Sequence, residues 1–423
     1  MKNSYTIAIF GSYGGHNAGD DAILSSIIKD ISKSIAGVNF ILLTSAPSFY
    51  KRLLNNNKIK MVPFSPLSIN EVPRRFHRIK ILRRFMQMRY LGIKFYGFQA
   101  INSILKADAI LMTQNMFFDY KLLNPLFNVL PAWQMEIPFA KMLKRKLVSY
   151  NTGLGPIRTD RGRKMLKKIL TSCDFISLRE HEGLDFIREN HISVPVYLGS
   201  DPALNNDPTP KEEAMELLKK EGIDFSKPLL GININSYIDQ WVVTGKQGLT
   251  KKEFISIVSS AIKKFIHREN IQPMMVCTNY GDLEITKELR DAIDPNTAII
   301  DNYNYDHHQL MGMIGYMDIL LGTRMHACVL AVAMDVPVVS INYVPKVKHF
   351  MRLIGIEDYS NDIDNLNEIN LENCLLLTWK NRDVLKRKIG KRLPDLKKKG
   401  SYPAVILKKL LRGESIHTED WAS

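Results

Sequence analysis

The chain of 423 residues contains no run of 18 consecutive apolar residues, so none of it reads as a membrane-spanning helix. It also has no low-complexity tract and no CxxC pair. Its four cysteines, Cys173, Cys277, Cys328 and Cys374, stand far apart among apolar neighbours. That spacing excludes a clustered thiolate metal site and a disulfide framework, and predicts reduced core thiols in a cytoplasmic protein. Nor does the N-terminus read as a secretory leader: the apolar run Ile7 to Phe10 is short and leads straight into a glycine-rich turn. Acid is scarce in two places. Residues 74–94 hold eight Lys/Arg and no acid, and residues 380–412 hold thirteen Lys/Arg against Asp383 and Asp395, so these two segments more than account for the net charge of +15 and the rest of the chain is slightly acidic.

What is present reads as two α/β halves. A strand over Tyr5–Phe10, a helix from Ala22 to about Ser34 and a strand over Asn39–Thr44 open the chain. Apolar runs recur at Ala109–Met112, Lys146–Tyr150, Phe175–Leu178 and Val196–Leu198, with helical patterns at Arg161–Ser172 and Glu182–Asn190 between them. Buried runs alternating with helices predict a parallel, doubly wound sheet. After a linker at Asn205–Pro210 the pattern restarts: strand Leu229–Ile234, helix Lys251–Glu269, strand Pro273–Cys277 and helix Leu283–Ile293. Strand Ile319–Leu321, helix Met325–Ala333 and strand Val338–Ile341 complete it. We therefore expect two Rossmann-like domains, 1–204 and 205–375, facing a central cleft, followed by a basic helical tail over 376–423. Ligands bind such sheets at the carboxyl ends of the strands.

The turn after the first strand carries Gly11, Gly14, Gly15 and Gly19, and lets backbone approach a ligand closely. It matches neither GxGxxG nor a Walker loop, since no Lys-Ser/Thr follows. Asn17 and Asp20 set polar side chains beside it, with Asp20 either facing a ligand or capping the helix. His307 and His308 are expected to be loop residues, because no third ligand stands at fitting spacing; Asp301, Asp306 and Asp318 form no metal cluster either. No metal is expected. In the first basic segment Phe76, Ile79, Leu82, Met86, Tyr90 and Ile93 recur at helical spacing. That pattern fits both an anionic membrane surface and a core-facing helix with a solvated basic face. Stacking aromatics are too few for a nucleic-acid platform.

One ordered series of motifs has a family likeness. Gly11-Ser12-Tyr13-Gly14-Gly15-His16-Asn17-Ala18-Gly19-Asp20-Asp21 is followed by Asn151-Thr152-Gly153-Leu154-Gly155-Pro156 and by Asp174-Phe175-Ile176-Ser177-Leu178-Arg179-Glu180. Asp201-Pro202-Ala203, Gly322-Thr323-Arg324-Met325-His326 and Tyr343-Val344-Pro345-Lys346 come after them. In order and spacing this series resembles the polysaccharide pyruvyl transferases. The resemblance implies a two-domain fold like that of the GT-B glycosyltransferases. It also implies transfer of the carboxyethylidene group of phosphoenolpyruvate to two hydroxyls of a sugar in a polysaccharide or its lipid-linked precursor, without metal or other cofactor.

Such a donor bears a carboxylate and a phosphate, which guanidinium groups bind well. Arg324 and His326 are the catalytic candidates, with Arg179 and Lys346 as further cations. Gly15, Asn17, Asp20 and Gly153 are substrate-binding candidates on the matching motifs. In place of the family's usual glycine-rich turn, this chain has Leu111–Asp119, which predicts an altered acceptor side. The competing readings are a glycosyltransferase using a nucleotide sugar, opposed by the lack of a clear Glu pair after Gly322, and a non-enzymatic basic scaffold.

Overall fold

The computed structural model describes residues 4–11, 13–63, 105–113, 117, 119, 130–155, 157–236 and 249–416. The amphipathic segment 74–94 lies outside them. By their internal contacts these residues form two compact units, the first made of those within 1–15, 27–200 and 399–423, the second of those within 16–26 and 201–398. The short segment 16–26 thus goes with the second unit, although the strand before it belongs to the first.

The first unit holds a seven-stranded parallel sheet: β1 Thr6–Phe10, β2 Asn39–Thr44, β3 Ile59–Pro63, β4 Ala109–Met112, β5 Lys146–Thr152, β6 Phe175–Leu178 and β7 Val196–Leu198. Their order is β3-β2-β1-β4-β5-β6-β7. The second unit holds a six-stranded parallel sheet: β8 Leu229–Asn233, β9 Gln272–Cys277, β10 Ile299–Asp301, β11 Ile319–Gly322, β12 Val338–Asn342 and β13 Ser360–Asp362. Their order is β10-β9-β8-β11-β12-β13. Strands of a parallel sheet are covered on both faces, so they appear as continuous apolar runs rather than alternating ones. Ala109 to Met112 are all buried, as are Ile319 to Gly322.

Each order reverses once, between β1 and β4 and between β8 and β11. At such a switch point the neighbouring connections leave in opposite directions and open a crevice at the strand ends. All four cysteines are buried free thiols. Burial pushes the Cys328 thiol up to about 12, which keeps it protonated and unreactive at neutral pH.

Three expectations need correction. The first helix runs Ala18–Ser34 and does not wait for Ala22. Its cap is Asn17, whose Oδ1 accepts from the Gly19 amide at 3.0 Å, so Asp20 lies inside the first turn, where its charge complements the helix dipole. The basic tail is part of one helix, Glu368–Arg412, that begins before residue 376; Leu371 and Leu375 pack into the core of the second unit.

His307 and His308, finally, are not loop residues but open the helix His307–Ile314. Asp306 caps it, its carboxylate accepting from the His308 and Gln309 amides. His307 is buried, with neither ring nitrogen hydrogen-bonded. Burial, then the neighbouring His308, holds its pKa well below the usual histidine range. The ring stays neutral in the folded protein, whereas an unfolded chain takes up a proton below about pH 6.5. Stability is therefore complete above that pH and declines as the pH falls further, by up to about 1.4 kcal/mol per unit. Urea titrations of His307→Leu should show a flatter decline between pH 7 and 5 than the parent protein.

Candidate active site

The second unit's switch point is built from side chains that fix one another. Asn233 ends β8 directly across from Gly322, the last residue of β11. The Asn233 amide donates to the Val276 carbonyl at 2.8 Å, and its Oδ1 accepts from the Arg324 backbone N–H at 3.1 Å. A second bond, from the Thr323 N–H to the Asn233 carbonyl at 3.0 Å, extends the strand contact by one residue. Asn233 thereby holds the start of the connection from β11 to the helix Met325–Ala333, of which Arg324 is the capping residue.

From there the Arg324 side chain reaches Asp282. Its Nε donates to Oδ2 and its Nη2 to Oδ1, the latter at 2.7 Å. The Asp282 carboxylate has no solvent exposure, and the Ser236 N–H and hydroxyl both donate to its Oδ1 at 2.9 Å. A buried carboxylate is tolerated only with such compensation. The two-point contact also fixes the plane of the guanidinium, which a single contact does not.

His326 stands in the first turn of the same helix. Its Nε2 lies 3.6 Å from Oδ2 of Asp201, a side chain only 1% exposed. The other oxygen of Asp201 accepts from the Ala203 N–H at 2.9 Å, capping the short 3₁₀ turn Pro202–Asn205. Asp201 is thus held from its own side and sets a negative charge beside the imidazole.

The remaining face of the ring meets the N-terminal motif. A methyl group placed on Gly19 would lie 2.2 Å from His326 Cγ and 2.3 Å from Nδ1, inside any contact distance. Glycine is required there for proximity. The approach is secured by backbone bonds from Ala18 N–H to the Thr278 carbonyl at 2.9 Å and from Tyr280 N–H to the His16 carbonyl at 3.1 Å. Of the expected site residues, then, Asn17, Asp20, Arg324 and His326 gather at one place. Lys346, half-buried, is the second residue of the helix Pro345–Leu353, which follows the adjacent strand β12.

The other candidates lie in the first unit. Arg179 follows β6 and is no surface residue: its side chain is 1% exposed and its Nε donates to Glu180 Oε1 at 3.3 Å. Gly153 follows β5, and its carbonyl accepts from the Phe117 N–H at 2.8 Å. Gly15 has φ +70°, donates to the Tyr50 hydroxyl at 3.2 Å and faces the Phe49 ring, so a turn and close packing both call for it.

At the switch point between β1 and β4, the Thr113 hydroxyl lies 2.5 Å from that of Tyr13. Asp119 is held by its own bonds: its Oδ2 accepts from the Arg158 and Thr159 N–H groups at 2.9 and 2.6 Å and from the Thr159 hydroxyl at 2.7 Å. Asp119→Ala should cost about 1–3 kcal/mol, the penalty for stranding buried donors, read as a lower urea midpoint.

Several partners were not apparent as such from the sequence. Asp282 and Asn233 carried no motif, and Asp201 sat in one without a role. Asp282 follows Asn279-Tyr280-Gly281, a turn signal that says nothing of an arginine 42 positions later. Among the described residues no three His, Cys, Asp or Glu side chains converge as metal ligands would.

The amylovoran biosynthesis protein AmsJ of Erwinia amylovora is 22% identical over 382 residues, covering 85% of this chain and 88% of AmsJ. The UDP-GlcNAc 2-epimerase of Neisseria meningitidis superposes with a TM-score of 0.59 at 10% identity, over 96% of this chain and 100% of its own. A UDP-glucosyltransferase of Polygonum tinctorium gives 0.56 at 12% identity, over 97% and 99%. At such identities these two structures establish the fold, the two-domain GT-B type, and nothing of the chemistry. The signature of the polysaccharide pyruvyl transferases spans residues 17–344, from the capping Asn17 through Arg324 and His326. The chain belongs to the polysaccharide pyruvyl transferase family.

Proposed function

We propose that this transferase moves the carboxyethylidene group of phosphoenolpyruvate onto two hydroxyls of one sugar in a polysaccharide or its lipid-linked precursor. The product is a ketal, and phosphate is released. The observation that carries the reading is His326, flanked by Asp201 at 3.6 Å and by Gly19, two residues from an arginine anchored by Asp282. Membership of the family and the likeness to a protein of amylovoran biosynthesis support it.

The chemistry follows in order. Protonated His326 gives its proton to the methylene carbon of the enol ester, leaving a methyl group and an oxocarbenium-like carbon. A first sugar hydroxyl attacks that carbon and loses its proton. Phosphate then leaves with the C–O bond electrons, the second hydroxyl adds and loses its proton, and the ketal closes. Two hydroxyl protons are released, while the methyl group and the departing hydrogen phosphate each take one up, so the protons balance. Asp201, 3.6 Å from Nε2 of His326, orients the ring for that transfer.

Arg324, its plane fixed by Asp282, brings positive charge to the donor's anionic groups. Lys346 and the N-terminus of the helix Met325–Ala333 add to it. Asn17 and Asp20 order the first turn that presents Gly19. Arg179, Gly15 and Gly153, in the first unit, serve substrate binding, Arg179 as a further cation. The donor carries its own leaving group, so the reading includes no resident cofactor, and the work is done in the cytoplasm.

The test is incubation with phosphoenolpyruvate and a family-typical glycan acceptor, following phosphate release and the mass of the glycan. Equimolar phosphate and carboxyethylidene-bearing glycan support the proposal. Calorimetric binding of a nucleotide sugar, without binding of phosphoenolpyruvate, would replace it with glycosyl transfer.

A further inference from the structure

The first unit carries a basic corner that the transfer chemistry does not use. It lies at the amino ends of β5 and β6, the opposite end of the sheet from Arg179 and Gly153. Four of the six residues 141–146 are Lys or Arg. Lys141, Lys144, Arg145 and Lys146 line a hollow of about 360 Å³ together with Thr171, Ser172, Cys173 and Asp174, whose carboxylate pairs with Lys146 at 3.2 Å and leaves an excess of three cations. The two hydroxyls are turned away from any guest: Thr171 donates to the Lys167 carbonyl at 2.8 Å and Ser172 to the Lys168 carbonyl at 2.7 Å. This is a charged surface rather than a fitted pocket for a small anion. Apolar groups stand among the charges, Met142 being 69% exposed and Leu105 38%. Arg145 joins them, donating through Nη2 to the Leu105 carbonyl.

Complementing a helix dipole explains one or two lysines at a C-terminus, and Lys141 fits that account. Lys144 does not. The Arg145 N–H bonds to the Ala140 carbonyl at 3.1 Å and the Lys144 N–H to the Lys141 carbonyl at 2.9 Å, which is the helix-ending pair of bonds whose left-handed residue is ordinarily glycine. Lys144 occupies that residue with φ +51°. A side chain is strained there, so the fold alone favours glycine, and the lysine calls for another reason.

We propose that this corner docks on the surface of an anionic lipid bilayer, with Met142 and Leu105 entering the headgroup boundary and the exposed Lys141 and Lys144 facing acidic headgroups. Cations mixed with exposed aliphatic tips suit a bilayer interface. Nucleic acid fits less well: the exposed large apolar side chains among the first unit's described residues are Leu105, Met142 and Val405, with no ring for a base to stack on. The inference stands independently of the donor or acceptor.

Sedimentation of the full chain with vesicles tests it, using neutral phosphatidylcholine alone or with phosphatidylglycerol added. The parent protein should pellet with the anionic vesicles only, and lose binding at high salt. Lys144→Gly should weaken that binding about five-fold, and Lys141→Gln with Lys144→Gly about twenty-five-fold, each cation near such a surface contributing a similar factor. Lys144→Gly should also raise the melting temperature, which separates lost docking from a damaged fold. Residues 74–94 are unchanged in every variant, so the differences report on this corner alone. Equal partition of parent and variants overturns the proposal. So does full displacement by millimolar inorganic phosphate, or loss of duplex DNA binding in the variants without loss of vesicle binding.

Discussion

His326→Gln is expected to slow phosphate release from phosphoenolpyruvate by about 10²–10⁴-fold, the range for removing a general acid. Glutamine keeps much of the volume that packs against Gly19 but cannot carry a proton between donor and acceptor. The same variant should unfold near the parent's urea midpoint, because His326 has no hydrogen bond through Nε2 whose loss would strand a partner. Asp201→Asn removes the neighbouring charge and keeps the acceptor for the Ala203 amide. It should therefore lower the rate less than His326→Gln, since Asp201 acts on the donor only through the histidine it neighbours. Unchanged turnover in His326→Gln would remove the histidine from the chemistry.

The second large effect concerns stability as much as rate. Arg324→Met leaves the Asp282 carboxylate, fully buried, with the Ser236 donors alone among the described residues. Breaking a buried pair on one side costs about 3–5 kcal/mol, whereas replacing both members by neutral groups is often close to neutral. Arg324→Met should be severely destabilised, and Arg324→Met with Asp282→Asn should recover most of the loss. Activity should return in neither. If the double variant is as active as the parent, the arginine is a structural counter-ion with no role toward the donor. Calorimetric melts paired with phosphate-release assays read both quantities on the same samples.

The architecture was legible because parallel strands buried on both faces must appear as unbroken apolar runs, and the helices Lys251–Glu269, Leu283–Ile293 and Met325–Ala333 begin and end where their periodicity does. The place of Arg324 and His326 just beyond β11 was legible for the same reason. The start of the first helix was not: Ala18 joins it because its N–H bonds to the Thr278 carbonyl, and no local pattern reports a partner 260 residues away. Nor were Asp282 and Asp201 foreseeable as partners, because strand order decides which loop ends share a switch point. His307 misled through its neighbour. Two adjacent histidines suggested a loop, while the Asp306–Gln309 capping box that opens a helix there carried the stronger signal.

The assignment of residues 16–26 to the second unit has a practical meaning for dissecting the protein. A recombinant piece beginning at Asp201 would contain Arg324, His326, Asp282 and Asp201, yet it would leave one side of the imidazole bare where Gly19 belongs. The Thr278 carbonyl and the Tyr280 amide would likewise lose their mates. Such a piece should be a poor enzyme however well it folds. A synthetic peptide covering His16–Ser26, added in trans, is the natural reagent for rescuing it.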